Sequence, residues 1–147
     1  MAVMTSWTIN SWEELDLAAG EVLDRAVAAG GSDGTVLALS GDLGAGKTTF
    51  VQTLAKRLDI RETVTSPTFV IMKQYGALGS FEKLVHIDAY RIESVDEMPV
   101  LGFEEILEEK GTIICIEWAE RIKELLPNNT MYLKFSFEND ERTLTLE

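Results

Sequence analysis

The sequence predicts an α/β fold in three layers, a mixed β-sheet with a parallel core and antiparallel additions between flanking helices. Two patterns and one turn predict it. In the first half, short apolar runs alternate with segments of helical period, the arrangement that gives parallel strands with helical crossovers. Further along, paired β-forming runs separated by polar turns read as hairpins and hence as antiparallel additions. Between an apolar run and a helix lies a glycine-rich turn, at Gly41 to Gly46. The chain has 147 residues, which fits a single domain covering 1–147.

Thr5 to Ile9 is a candidate first strand. Ser11 and Glu14 have the S-x-x-E spacing of a capping box, in which each side chain satisfies the other residue's backbone N–H. The helix they open is expected to reach about Ala29, with Leu15, Ala18, Ala19, Val22, Ala26 and Ala29 on one face. Gly30, Gly31, Ser32, Asp33 and Gly34 break it. Thr35 to Ser40 is a short apolar strand, and a helix from Lys47 to about Leu58 follows the glycine-rich turn. After a loop around Arg61 to Pro67, Phe69 to Tyr75 is rich in β-formers. It turns at Gly76 to Ser80 and returns through Lys83 to Asp88.

Ser94 and Glu97 repeat the capping spacing and open a short acidic helix expected to end near Gly102. Thr112 to Glu117 reads as a buried strand, and a short helix after it stops before Pro127. At the C-terminus, Met131, Leu133, Phe135 and Phe137 alternate with polar residues. Glu138 to Glu141 turn, and Leu144 and Leu146 resume the alternation.

Thirteen Lys and Arg against 25 Asp and Glu give a net charge of −12. Affinity for nucleic acid rests on cations that neutralise phosphates, so this balance argues against direct RNA or DNA binding. Seven acidic residues and no Lys or Arg fall between Glu93 and Glu109; a solvated face is the plainer reading, a surface for a basic partner the sharper one. No run approaches the ~20 apolar residues of a membrane span. The N-terminus lacks the basic-then-apolar pattern of a signal peptide. The lone Cys115 lies in an apolar run and reads as a small core residue. Together these predict a cytoplasmic protein with no membrane partner.

Gly41-Asp42-Leu43-Gly44-Ala45-Gly46-Lys47-Thr48 matches G-x-x-x-x-G-K-[ST] in full. With ordinary glycine usage, a chance match in a chain of this length arises roughly once in a few hundred sequences. Its placement between a strand and a helix is the one in which the motif works as a P-loop. The glycines let backbone N–H groups face phosphates, and the helix N-terminus adds partial positive charge. Lys47 is then expected at the β- and γ-phosphates, and the Thr48 hydroxyl at magnesium. Gly41 to Thr49 make up the expected nucleotide-binding segment, and the fold is of the P-loop NTPase type.

Such a site also needs a carboxylate near the metal. Asp88 ends one apolar strand and Glu117 another, and each has the alternative of merely capping the next segment. Thr65-Ser66-Pro67-Thr68 occupies the place of a γ-phosphate-sensing switch, or is a hydroxyl-rich turn. His86 shares a strand face with Asp88 and reads as a satisfied structural histidine. Trp118 is either core or a neighbour of the nucleotide, and Trp12 either packs or lies beside adenine. No N-K-x-D string for guanine is present, which favours ATP over GTP.

GDLGAGKTT (Gly41 to Thr49), SPTF (Ser66 to Phe69), H-x-D-x-Y-R (His86 to Arg91) and EW (Glu117-Trp118) occur in this order. In these motifs, and across most of the chain from the first helix to about Leu126, the sequence resembles the bacterial TsaE family. That family is the ATPase component of tRNA threonylcarbamoyladenosine biosynthesis. The resemblance implies binding of ATP and magnesium, weak hydrolysis alone, and action with the partners TsaB and TsaD. It implies that Thr48 and Glu117 hold magnesium and that Asp88 belongs to the same active site, so that Lys47, Asp88 and Glu117 are the expected catalytic residues. The acidic residue two positions after the tryptophan is present as Glu120. The C-terminal hairpin carries no assignable motif. The alternatives are a small-molecule kinase and a nucleotide-gated interaction module; the former would respond to a metabolite, the latter to protein partners.

Overall fold

The computed structural model describes residues 4–30, 33–41 and 46–147. In chain order the elements are β1 (Thr5–Ile9), α1 (Trp12–Ala28), β2 (Thr35–Gly41), α2 (Lys47–Arg57), β3 (Met72–Gly76) and β4 (Lys83–Asp88). Then come α3 (Glu97–Val100), α4 (Phe103–Leu107), β5 (Thr112–Glu117), a 3₁₀ helix (Ala119–Leu125), β6 (Met131–Glu138) and β7 (Glu141–Leu146). The strands form one sheet of seven in the order β1-β7-β6-β2-β5-β4-β3. β2 pairs in parallel with both β5 and β6, and β4 pairs in parallel with β5. The hairpins β3–β4 and β6–β7 and the pair β1–β7 are antiparallel. The expected mixed sheet with a parallel core and antiparallel margins is therefore present.

Alternation along the central strands sorts the side chains into two cores. Leu37, Leu39, Ile113, Cys115 and Leu84 pack with Leu15, Val22, Phe50 and Leu54 of α1 and α2. Val36, Ala38, Ile114, Ile116, Val85 and Ile87 pack with Met98, Phe103, Ile106 and Ile122 on the other face. The period-two geometry of a strand makes this division, and it gives three layers. Ser11 caps α1 by accepting the Glu14 N–H at 3.1 Å. The Glu14 carboxylate takes the Ser11 hydroxyl at 3.4 Å, so the reciprocal arm of the capping box is replaced by a side-chain contact. No helix among the described residues is long and apolar enough to cross a membrane.

Three boundaries differ from expectation, and one short helix is additional. β3 begins at Met72 rather than Phe69, because the Val70 and Ile71 N–H groups both turn back to the Pro67 carbonyl. Phe69 and Val70 are consequently exposed. The short acidic helix expected to end near Gly102 is α3, which stops just before that glycine and keeps its capping spacing, with Glu97 accepting the Glu93 and Ser94 N–H groups; the additional helix is α4, which opens at Gly102 with φ 76°. The segment before Pro127 is a 3₁₀ helix with a break at Ile122. Ala29 is the exposed C-cap of α1 rather than part of its buried face. Gly31 and Ser32, in the expected helix break, lie outside the described residues.

Candidate functional site

The site lies at the carboxyl ends of the parallel strands β2, β4 and β5, where an open α/β sheet delivers side chains to a ligand. The register sets Asp88 directly beside Glu117, and Glu117 beside Leu39. The N-terminus of α2 stands over the same end of the sheet. Its second residue, Thr48, is thereby brought to Glu117, and Lys47 and Thr48 line one cleft with both carboxylates.

Each carboxylate is held by its own donors. The Thr48 hydroxyl donates to Glu117, 2.9 Å from Oε1 and 3.0 Å from Oε2. His86, two residues before Asp88 on β4, contacts Glu117 Oε2 through Nε2 at 2.6 Å. Asp88 accepts the Thr68 hydroxyl at 3.0 Å, the Ser66 hydroxyl at 3.4 Å and the Tyr90 N–H at 2.9 Å. The hydroxyls of the 65–68 loop thus serve Asp88, while Thr65 accepts from Lys73. Asp88 and Glu117 are each 4% exposed, and His86 is fully buried. Two buried carboxylates side by side repel, and these donors oppose that repulsion.

Lys47 is buried, and its ammonium donates to the Gly41 carbonyl. It also lies 3.8 Å from the Trp118 ring centroid, a cation–π distance. Trp118 holds a left-handed backbone, φ 57°, and its ring leans on Tyr90 at 5.2 Å. Of the two readings left open for Trp118, each finds support: it packs against the second core and also lines the cleft. Cys115, on β5, is buried, and that burial together with the nearby Glu117 charge pushes its thiol well above the usual range.

A cleft of about 650 Å³ opens beside these groups. Trp12, Gly46, Lys47, Thr48, Thr49, Asp88, Glu117 and Trp118 all line it. Trp12 is 75% exposed, so it is a rim residue rather than packing. Gly41 is the last residue of β2; Asp42, Leu43, Gly44 and Ala45 lie outside the described residues. Sequence reasoning missed Asn10, Asp140, Arg142 and Thr143, which line the opposite wall. No local pattern marks them. They arrive there because β1 pairs with β7, placing Ile9 beside Arg142. His86, expected as a satisfied histidine, is satisfied at Nε2 only; its Nδ1 is buried with no hydrogen-bond partner among the described residues.

The donor set suits a hard cation held by few protein ligands. Thr48, Glu117 and Asp88 supply oxygens, and among the described residues no cluster of three or more His, Cys, Asp or Glu could enclose a metal. Magnesium commonly takes one or two carboxylates and completes its shell with water and phosphate oxygens.

Comparison with known proteins identifies the relatives of the chain. Residues 12–144 match the family described as "Threonylcarbamoyl adenosine biosynthesis protein TsaE". The tRNA threonylcarbamoyladenosine biosynthesis protein TsaE of Bacillus subtilis is 39% identical over 137 residues, covering 91% of this chain and 82% of the relative. The protein of the same name from Streptomyces coelicolor is 42% identical over 102 residues, covering 69% of this chain and 68% of the relative. The crystal structure of Bacillus subtilis YdiB superposes with a TM-score of 0.72 at 33% identity, covering 99% of this chain and 86% of that one. A match over so much of the chain, with relatives that share one name, settles the family: this chain belongs to TsaE, a family of tRNA threonylcarbamoyladenosine biosynthesis.

Proposed function

We propose that the chain binds ATP with magnesium in this cleft and hydrolyses it slowly, as the ATPase subunit that acts with TsaB and TsaD in threonylcarbamoyl transfer to tRNA. The observation that carries the reading is the Thr48 hydroxyl seated on Glu117, beside Asp88, at the N-terminus of α2. That is the pair of oxygen donors a P-loop fold presents to a nucleotide-bound cation. Thr48 and Glu117 would hold magnesium, with Asp88 next to them; bound there, it would neutralise charge on the β- and γ-phosphates. Lys47, whose ammonium rests on a carbonyl and a ring face, supplies the positive charge for the same phosphates. Asp88, held by the Ser66 and Thr68 hydroxyls, orients the attacking water. Trp12, on the rim, offers an exposed ring face to the base.

The test is thermal stability with and without nucleotide. A ligand at about 100 times its Kd adds roughly 2.7 kcal/mol to a fold that binds it only when folded. For a chain of this size that is a rise in Tm on the order of 5–10 °C. ATP with magnesium at millimolar concentration is expected to give such a rise, and Lys47→Ala to abolish most of it. No rise in the wild type would remove the nucleotide from the reading.

A further inference from the structure

We propose that His86 is the positioning residue of the metal site: it holds Glu117 in the orientation that receives the cation, an inference that rests on the proposed binding of magnesium with ATP. Three observations carry it. His86 has no solvent exposure, yet its Nε2 lies 2.6 Å from Glu117 Oε2. Its other nitrogen, Nδ1, is buried with no partner among the described residues. Among the described residues, Oε2 is contacted by both His86 and Thr48, and Oε1 by Thr48.

An ionised carboxylate only accepts, so with Glu117 in that form the 2.6 Å contact is assigned a hydrogen on Nε2. The orphaned Nδ1 shows that this ring is not there to satisfy both of its nitrogens, since a buried unpaired polar atom is costly. An apolar side chain at this position would avoid that cost. What the imidazole adds is one directed hydrogen bond to one oxygen of Glu117. That bond anchors Oε2 toward β4 and fixes the rotation of the carboxylate, leaving Oε1 toward Thr48. The geometry comes from the sheet: β4 and β5 pair with Asp88 beside Glu117, and His86, two residues earlier, reaches diagonally across the same face. Partners that orient a metal-binding carboxylate in this way typically govern metal affinity without touching the metal.

The experiment titrates magnesium into the ATP-loaded protein and reads its Kd, alongside the Kd of ATP without metal. His86→Leu is expected to weaken magnesium by about 10–100-fold and to leave metal-free ATP binding unchanged. Gln places its amide nitrogen where Nε2 sits, and Asn places it where Nδ1 sits. His86→Gln is therefore expected to recover most of the magnesium affinity and His86→Asn to recover little. The Gln and Asn variants carry the test if the Leu variant does not fold. Equal magnesium affinity in the Gln and Asn variants would overturn the proposal, as would parallel loss of metal-free ATP binding, which marks a merely structural role. Absence of any magnesium effect on the ATP-loaded wild type would instead overturn the reading on which the proposal rests.

Discussion

At the scale of single residues, Glu117 does two things that one substitution separates. Gln at this position can turn its amide so that the oxygen accepts from His86 and the nitrogen donates to the Thr48 oxygen, which keeps the local hydrogen bonds and removes only the charge. Glu117→Gln is therefore expected to keep its fold and its metal-free ATP affinity, while magnesium affinity falls by more than the ~10–100-fold carried by a second-layer partner. Asp88→Asn losing magnesium while Glu117→Gln keeps it would exchange the two roles. Cys115 offers a check on the same strand that needs no ligand. Its thiol is held neutral by burial and by the Glu117 charge, above its ordinary pKa of 9.0. The unfolded chain releases that proton near pH 9 while the folded chain keeps it, so this contribution to stability is whole below pH 9 and declines as pH rises beyond. Cys115→Ala should flatten that part of the decline in urea denaturation, and the native thiol should resist iodoacetamide. Lys47 and Thr48 were legible in the sequence because the P-loop is a local spacing. Asp88 and Glu117 were legible as ends of apolar strands. The bond from His86 to Glu117 was not, because it depends on how β4 and β5 are registered, and no local pattern encodes that.

At the scale of elements, the two described glycines of the G-x-x-x-x-G-K-[ST] turn are glycine for different reasons. Gly41 ends β2 with φ 135°, and a Cβ built there would sit 2.3 Å from the Phe135 carbonyl oxygen of β6. Gly46, with φ 103°, would meet none of the described residues within 4 Å. Gly41→Ala therefore combines backbone strain with a clash between neighbouring strands and is expected to cost about 3 kcal/mol or more. Gly46→Ala carries only strain, about 1–2 kcal/mol. Urea denaturation of both variants decides it; equal losses would show that packing against β6 is not what Gly41 serves. Strand and helix identities were legible wherever the hydrophobic period was long, as in α1 and β5. They failed where a tertiary or turn interaction overrode propensity. The β-forming run at Phe69 to Ile71 is captured by a turn onto the Pro67 carbonyl, with Ile71 at φ 68°. The wall formed by Asp140 to Thr143 was invisible for a related reason. A terminal hairpin becomes part of the cleft only through the pairing of β7 with β1, more than a hundred residues away in sequence.

At the scale of the whole molecule, the charge of −12 and the composition of the site bear on what the chain does alone. Fast phosphoryl transfer to water needs a positioned nucleophile and cationic charge on the γ-phosphate beyond the P-loop lysine, commonly an arginine. Arg91, the nearest such residue in sequence, is drawn 4.8 Å over the Phe69 ring, and Arg121 stacks over Tyr90. Neither lines the cleft, and Arg142, which does, stands on the far wall from Asp88 and packs on Phe137. Phe69 and Val70, meanwhile, expose apolar surface next to the loop whose hydroxyls hold Asp88. A protein that covered this loop would reorder Ser66, Thr68 and Asp88 together, and could bring its own cation. ATP turnover by the purified chain is accordingly expected to be slow and to rise clearly when TsaB and TsaD are added, measured as phosphate released at fixed ATP and magnesium. The same acidic surface repels nucleic acid, so tRNA should not bind the isolated chain at physiological salt. Tight tRNA binding would show that the net charge conceals a basic face. Turnover that is already fast without partners, or phosphate appearing on a small metabolite instead of in solution, would mean that the catalytic set is complete within this chain and that it works as a kinase.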